Sequence, residues 1–272
     1  MHALITNDDG VASDGIRVLA QVAAEAGLDV LVAAPARDLS GASASLTATL
    51  DDDGRFVVSE RSWDNPRMAG VLAVEAAPAF IVRAAMTGAF GPPPEVVLSG
   101  INHGPNTGHA VLHSGTVGAA LTASTHGRPA LAVSIATGTP THWETAREVA
   151  GCALAWLLDQ VEPLVVNVNV PNLPLEQLRG FEPARLATFG AVQATISEKG
   201  HGYVKLAYED VRAELEPGTD AALVAAGAAS FTVLQAVCEA ARPETATLTD
   251  GHTAPALANG SRGQDAARLR KL

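Results

Sequence analysis

Residues 4 to 20 read LITNDDGVASDGIRVLA, and this stretch decides the fold class. An apolar run ends at Asn7, the Asn-Asp-Asp-Gly sequence then favours a turn, and Ile16 and Leu19 follow at the spacing of an amphipathic helix. Gly27 is a helix stop, and the apolar run 29–34 is typical of a buried strand. The stretch therefore predicts a strand, a loop, a helix and a second strand, which together form a βαβ unit.

The same alternation of apolar strands and helical segments continues along the chain. Further strands are predicted at 71–75, 95–99, 130–135 and 164–170, and helices at 78–86, 114–123 and 141 to about 159. Strands that are apolar at every position need cover on both faces, since a half-exposed strand alternates with polar residues. We therefore expect an α/β fold, a three-layer α/β/α Rossmann-like sandwich with a mostly parallel sheet.

The C-terminal part of the chain changes character. Thr188 to Asp210 alternates apolar and polar residues around Lys199-Gly200, which predicts a β-hairpin that projects from the core and serves assembly. We expect a single domain over residues 1–256, with a catalytic core at about 1–175 and a hairpin and oligomerisation region at about 185–256. The polar residues 257–272 are expected to form a flexible tail.

Composition excludes some partners. The chain of 272 residues carries 29 acidic and 18 basic side chains, a formal charge of −11 that would repel a nucleic acid polymer. A single phosphate stays compatible with this charge, because backbone amides and a cation can bind it. Apolar runs stop well before the roughly 18 residues of a membrane span, and no signal peptide is evident. We therefore expect a cytoplasmic protein that does not bind membranes.

The two cysteines give a weaker indication. Cys152 and Cys238 stand far apart in apolar stretches, which predicts two buried thiols rather than a disulfide framework or a cysteine metal site.

Three loops follow strands at the edge where open α/β sheets bind ligands. In the first, Asp8 and Asp9 are neighbouring carboxylates that can share a hard divalent cation, although an ordinary Asp-Gly turn also explains them. In the second, Ser40 and Gly41 offer a hydroxyl and close backbone approach, or simply a polar connector. Each loop alone leaves both interpretations open.

The third loop runs from Ser99 to Gly108 and leads to Ser114-Gly115-Thr116 at the start of a predicted helix. Small and hydroxyl residues at a helix N-terminus can present several donors to a phosphate, although a plain helix cap has the same composition. Carboxylates, neutral oxygens and an anion site converging at one sheet edge favour a metal-assisted phosphatase, in which a cation activates a water that attacks the phosphoryl group.

Six sequence blocks occur in the order found in one known family. The blocks are LITNDDGVASDGIRVLA, VAAPARDLSGASASLT, LSGINHGPNTG, SGTVGAA, RPALAVS and VNVNVP. In this ordered set the chain resembles the SurE (survival protein E) nucleotidases over roughly residues 3 to 172. The resemblance implies a three-layer α/β/α core, one Mg²⁺ or Mn²⁺ ion per subunit and hydrolysis of nucleoside monophosphates. It also implies a homodimer or homotetramer built partly through a C-terminal hairpin and helix.

The resemblance also assigns site residues by motif. The metal ligands would be Asp8, Asp9, Ser40 and Asn102, and the two aspartates would be the catalytic residues. The residues facing the substrate phosphate would be Gly41, Asn106, Ser114, Gly115 and Thr116.

The surroundings of these motifs depart from the family pattern. His109-Ala110 stands where acidic residues are common, His113 replaces a usual Tyr, and Ala76-Ala77 stands where Gly-Thr is usual. These departures leave open a phosphatase specialised for another phosphorylated metabolite, or a divergent metal-binding protein without activity. His103, His109 and His113 lie in one loop, and one of them is a candidate general acid.

Other enzyme classes fit less well. The first turn lacks the G-x-G-x-x-G sequence of a dinucleotide-binding oxidoreductase, and its carboxylates would repel a pyrophosphate. Gly10 stands two residues after Asp8, where a haloacid-dehalogenase-type phosphatase has its second aspartate. A receiver domain would account for less than half of the chain.

Overall fold

The computed structural model describes residues 1–63, 68–136, 139–188, 192–210 and 215–238. Met1–Ala236 forms one compact unit. The strands are β1 (His2–Thr6), β2 (Asp29–Pro35), β3 (Val58–Arg61), β4 (Met68–Val74), β5 (Val96–His103), β6 (Ala130–Ile135), β7 (Val165–Val170), β8 (Phe181–Pro183), β9 (Val192–Gly200), β10 (Tyr203–Asp210) and β11 (Ala229–Leu234). The α-helices are α1 (Asp14–Glu25), α2 (Pro78–Met86), α3 (Gly115–Ser124), α4 (Trp143–Leu158) and α5 (Asp220–Ala225). Short 3₁₀ turns cover Gly108–His113 and Leu175–Gln177.

Nine strands form one sheet in the order β3-β4-β2-β1-β5-β6-β7-β11-β8. The six central strands from β4 to β7 are parallel to one another, while β3 and β11 run antiparallel to their neighbours β4 and β7. The chain adds β2 on one side of β1 and later β5 on the other side, so the strand order reverses at β1. Ligands in open α/β sheets bind at such a reversal.

Helices cover both faces of the sheet. Apolar residues of α1 and α4 pack with Ala3 and Ile5 on one face, whereas α2 and α3 pack with Leu4 on the other. Successive residues of β1 therefore face opposite sides of the sheet, which explains why Ala3, Leu4 and Ile5 are all apolar. The predicted three-layer α/β/α fold with a mostly parallel sheet is confirmed.

Two glycines let β5 approach its neighbours closely. A Cβ at Gly15 would lie 2.0 Å from the carbonyl oxygen of Ile101, and one at Gly100 would lie 2.2 Å from that of Val133. Any side chain at either position would push α1 or β6 away from β5. The end of β5, which carries Asn102, is therefore fixed from both sides.

The predicted hairpin is also confirmed, since β9 and β10 form a separate antiparallel sheet. The sequence did not predict β3, β8, β11 or α5, which are short or partly polar. The prediction of two buried thiols is wrong, because Cys152 and Cys238 are both exposed. The proposed tail 257–272 and the end of the oligomerisation region lie outside the described residues.

Within the described ranges, no helix combines the length and the apolar character needed to cross a membrane.

Candidate active site

The candidate site lies where the strand order of the sheet reverses. Asp8 and Asp9 follow β1, and Asn102 lies near the end of the adjacent β5. The second loop reaches the same edge, because the amide of Leu39 donates to the carbonyl oxygen of Asp8 at 2.8 Å. The topology therefore brings together three loops that are up to about a hundred residues apart in sequence.

The start of α3 binds the carboxylate of Asp8. The Gly115 amide donates to Oδ2 at 3.0 Å, and the Thr116 hydroxyl donates to Oδ1 at 2.5 Å. The positive end of the helix dipole stabilises a negative charge in this position. Asp8 is buried, and this burial raises its pKa although the bonds from Thr116 and Gly115 act to lower it.

Gly115 is required sterically as well. A Cβ at this position would lie 2.7 Å from Oδ2 and 2.8 Å from Cβ of Asp8, so only glycine permits the observed contact. Gly115 and Thr116 were predicted to face the substrate phosphate, and here their described partner is Asp8. A direct contact between these two residues and phosphate stays a prediction.

Asp9 is the second carboxylate of the site. Burial, followed by the negative charge of Asp8, raises the pKa of Asp9 to about 6. The His103 amide donates to Oδ2 at 3.4 Å, and the imidazole Nδ1 lies 3.9 Å from Oδ1. Asp8 and Asp9 thus bring two carboxylates close together, and the nearby His103 offsets their negative charge only in part.

Asn102 turns its side-chain oxygen toward these groups. Its Nδ2 donates to the Gly104 carbonyl at 2.8 Å, and its Oδ1 lies 3.3 Å from the Thr116 hydroxyl that also contacts Asp8. Asp8, Asp9 and Asn102 therefore supply two carboxylates and one amide oxygen at one place. Hard divalent cations prefer such oxygen ligands, and a cation would offset the repulsion that raises the pKa of Asp9. The donor set fits the predicted metal.

Ser40 and Gly41 are not in contact with these groups in the structure. Ser40 is exposed, and its hydroxyl donates to Oδ1 of Asp38 at 2.6 Å. Gly41 is exposed too and has a positive φ of 81°. Asp38, which the sequence analysis missed, lies close enough to Asp9 to contribute to the raised pKa of Asp9. The roles of Ser40 and Gly41 stay predictions.

Asn106 is buried in a polar network. Its amide donates to Oδ1 of Asn169 at 2.7 Å, and its carbonyl accepts from Nδ2 of Asn167 at 2.8 Å and of Asn169 at 3.0 Å. Its own side-chain Nδ2 donates to the Ser134 hydroxyl at 2.8 Å. These partners, which the sequence analysis did not assign, fix the loop rather than leave Asn106 free, and its contact with phosphate stays a prediction.

Ser114 begins α3. Its side-chain oxygen accepts from the Val117 amide at 3.0 Å, which is the N-cap bond expected of a serine at this position. The hydroxyl proton of Ser114 has no acceptor among the described residues, so it is available to a ligand.

The structure separates the three histidines of the loop. His103 lies beside Asp9 with its side chain 29% exposed and its ring centroid 5.5 Å from that of Trp143. Its Nε2 is buried without a partner in the described part of the chain. His109 and His113 are exposed. Only His103 contacts a proposed metal ligand.

A cavity of about 270 Å³ lies beside the second loop. Its lining includes Arg37, Leu39, Thr47, Glu75, Ala76 and Ala77. The Ala76-Ala77 pair, which departs from the family pattern, therefore lines a space next to the site.

The residues that the structure describes contain no cluster of three or more His, Cys, Asp or Glu side chains suited to a metal. A cation here would have two carboxylates and neutral oxygens or water as ligands, which suits Mg²⁺ or Mn²⁺ better than zinc. The fold and the site together define an α/β protein with two neighbouring carboxylates and an amide oxygen at the reversal of its sheet, a donor set that fits a divalent cation.

Comparison with known proteins gives the family. The family model described as survival protein SurE matches residues 3–192, and the chain belongs to the SurE family. It is 38% identical over 240 residues to the 5'-nucleotidase SurE of Nitrosococcus oceani, covering 86% of this chain and 91% of the relative. The 5'-nucleotidase SurE of Stenotrophomonas maltophilia is 38% identical over 244 residues, with coverage of 86% and 90%. The crystal structure of the SurE protein from Aquifex aeolicus matches with a TM-score of 0.70 and 28% identity, covering 88% of this chain and 95% of that one.

Proposed function

We propose that this protein is a metal-dependent phosphate-monoester hydrolase that acts on nucleoside monophosphates, as a 5'-nucleotidase. The observation that carries the proposal is the pair formed by the buried Asp8 and the partly buried Asp9 beside Asn102. The relatives named 5'-nucleotidase SurE support the reaction and the substrate class. One Mg²⁺ or Mn²⁺ per subunit is proposed, and Asp8, Asp9, Asn102 and Ser40 are its proposed ligands.

One group of residues is proposed to bind the cation, and a second group is proposed to bind the substrate phosphate. A cation held by the two carboxylates would draw negative charge from the phosphoryl oxygens and lower the pKa of a water. Gly115 and Thr116 orient Asp8 by their bonds to its carboxylate. The Ser114 hydroxyl and the N-terminal end of α3 favour the negative phosphate beside it. The predicted contacts of Gly41 and Asn106 with phosphate belong to this proposal.

The cavity beside the second loop supports a second candidate, a phosphatase for another phosphorylated metabolite. Ala76 and Ala77 line the cavity with small apolar groups. Smaller lining side chains leave more room for a leaving group, so the preferred leaving group depends on this cavity.

A substrate screen with purified full-length protein tests the function. Phosphate release from nucleoside monophosphates and from sugar and alkyl phosphates is measured with Mg²⁺, with Mn²⁺ and with a chelator. We expect metal-dependent release, fastest with nucleoside monophosphates. A preference for another ester would select the second candidate, while no turnover of any ester, together with metal binding by calorimetry, would leave a metal-binding protein without activity.

Substitution of Gly115 tests how closely the start of α3 must approach Asp8. Gly115→Ala should lower kcat/KM by roughly 10–100-fold, because the added Cβ would lie 2.7 Å from Oδ2 of Asp8 and move the carboxylate. Gly151→Ala in α4 is the matched control, since a Cβ there meets nothing within 4 Å. Steady-state kinetics that give equal kcat/KM for the two variants would contradict the proposed role of Gly115.

A dimer or tetramer built through the hairpin region remains our proposal for the assembly. The exposed Ile196, Tyr203 and Val204 of β9 and β10 support it, because exposed apolar side chains on a strand pair favour contact with another chain. The cytoplasmic location stays a prediction.

A further inference from the structure

Asp220 is a fully buried carboxylate outside the site described above. Its side chain is 0% exposed. Oδ2 accepts from the Gly108 amide at 2.8 Å, and Oδ1 accepts from the amides of Ala187 at 2.9 Å and Ala221 at 2.8 Å. Burial of a carboxylate is unfavourable unless such donors compensate it, so the fold depends on all three bonds.

The three donors belong to different parts of the chain. Gly108 begins the 3₁₀ turn that leads into Ser114 and α3. Ala187 lies a few residues before the hairpin strand β9, and Ala221 is in the first turn of α5, after the hairpin. One side chain therefore joins the loop of the candidate site to both ends of the hairpin region.

The two ends of the hairpin region are also joined to each other. We call residues 185–188 and 216–220 the hairpin root. The Arg185 guanidinium bonds Oε2 of Glu216 at 2.9 Å, and the Thr188 hydroxyl donates to Oε1 of Glu216 at 3.0 Å. The Asp220 amide donates to the Arg185 carbonyl at 2.9 Å. Asp220 therefore belongs to the root and is bonded to Arg185 by its backbone and to Ala187 by its side chain.

The loop of the candidate site is held on its other side by β7. Asn167 and Asn169 fix the backbone of Asn106, two residues before Gly108. Beyond Gly108, the end of the 3₁₀ turn is held by Ser43, whose hydroxyl and amide donate to the carbonyls of Leu112 and His113, and the side chain of Ser114 then caps α3. The Gly108 contact with Asp220 sets where this turn begins, and the turn leads directly into Gly115 and Thr116, which bond Asp8.

We propose that Asp220 is a positioning residue of the active site, which couples the hairpin root to the start of α3 through its bond to Gly108. Loss of this bond lets the 3₁₀ turn shift and moves Gly115 and Thr116 relative to Asp8. The proposal rests on the proposed function for its kinetic readout, whereas amide exchange and metal binding test it independently.

The experiment compares variants of Asp220 with a variant of its neighbour. Asp220→Ala removes all three bonds, while Asp220→Asn keeps the shape and only one acceptor oxygen. Thr219→Ala is the matched control, because Thr219 is equally buried and caps α5 through Ala222 but has no contact with Gly108. Each full-length variant is measured for Tm, hydrogen exchange of the Gly108 amide, calorimetric affinity for Mn²⁺ and kcat/KM, well below its Tm.

We expect all three variants to lower Tm, since each loses buried hydrogen bonds. The Gly108 amide should exchange faster only in the two Asp220 variants. These two variants should also bind Mn²⁺ about tenfold more weakly, and their kcat/KM should fall about tenfold or more. If Asp220→Ala does not fold, the same measurements on Asp220→Asn are compared with those on Thr219→Ala.

Wild-type Mn²⁺ affinity and kcat/KM in Asp220→Asn, alongside a lowered Tm, would overturn the proposal and leave Asp220 as a structural residue. Equal losses in Thr219→Ala would overturn it too. If wild-type protein hydrolyses no phosphate ester, the proposed function fails, while the exchange and Mn²⁺ measurements still decide whether Asp220 positions the site.

Discussion

Asp9→Asn should reduce metal-dependent phosphate release by about 10³-fold or more, while making the metal-free protein more stable. The loss of activity follows because the amide removes one of two charged ligands from the proposed cation site, and a cation there is expected to supply several kcal/mol of stabilisation to the transition state. Steady-state kinetics over a range of Mg²⁺ and Mn²⁺ concentrations measure this loss.

The gain in stability follows from the raised pKa of Asp9. Burial and the charge of Asp8 raise this pKa to about 6 in the folded protein, against about 3.9 for an unfolded chain. The folded state therefore binds the proton more tightly, and its stability falls as the pH rises from about 4 to about 6 and stays lower above that range. Removing the charge should recover roughly 1–3 kcal/mol near neutral pH.

Thermal unfolding of metal-free protein checks the second half of this prediction. Between pH 4 and pH 6 the Tm of the wild type should fall more steeply than the Tm of Asp9→Asn. A divalent cation should raise the Tm of the wild type only. Asp14→Asn is the matched control, because Asp14 is an exposed carboxylate five residues further along, at the start of α1. If Asp9→Asn turned over substrate at the wild-type rate at saturating metal, the proposal that Asp9 is a ligand of the catalytic cation would be wrong.

The architecture was predictable because its central parallel strands are mostly apolar on both faces. The boundaries of β6 agree with the predicted strand 130–135, since its apolar run is interrupted only by Ser134, which is itself buried. The strands β3 and β11 were missed for the opposite reason. β3 reads VSER and is mostly exposed, and β11 lies at an antiparallel position whose partner β7 is distant in sequence.

The sequence predicted that Asp8, Asp9 and Asn102 lie together, but it did not predict their hydrogen-bond partners. Asp8, Asp9 and Asn102 meet at one edge, as their positions after β1 and at the end of β5 required. No local pattern reveals that Gly115 and Thr116 bond Asp8, because that contact depends on how α3 packs against the first loop. A signal for the partners of Asn106 was present in the two asparagines of β7, polar residues in an otherwise apolar strand.

Asp220 shows a further limit of the sequence. It lies beyond the six blocks and beyond the family match at residues 3–192. Its three bonds join Gly108, Ala187 and Ala221, and two of these are distant in sequence. Hydrogen bonds of this kind follow from the tertiary structure alone.

His103 differs from the other two histidines of the loop by its contact with Asp9. Its Nδ1 lies 3.9 Å from Oδ1 of Asp9, whereas His109 and His113 are exposed. An imidazole at the edge of a phosphoryl-transfer site can protonate the leaving oxygen, and such general acid catalysis contributes about 10²–10⁴ in rate. Alkyl leaving groups such as a ribose 5'-oxygen need this proton, while nitrophenolate leaves readily without it.

The leaving-group comparison therefore isolates the role of His103. His103→Ala should lower kcat for a nucleoside monophosphate about 10²-fold or more beyond its effect on nitrophenyl phosphate. His103→Gln serves as a second variant, because it keeps a polar side chain near Asp9 but has no acidic proton. His109→Ala and His113→Ala, at exposed positions, should leave both rates close to wild type. An equal loss on both substrates would show that His103 supports the Asp9 carboxylate instead of donating a proton, and unchanged rates would exclude either role.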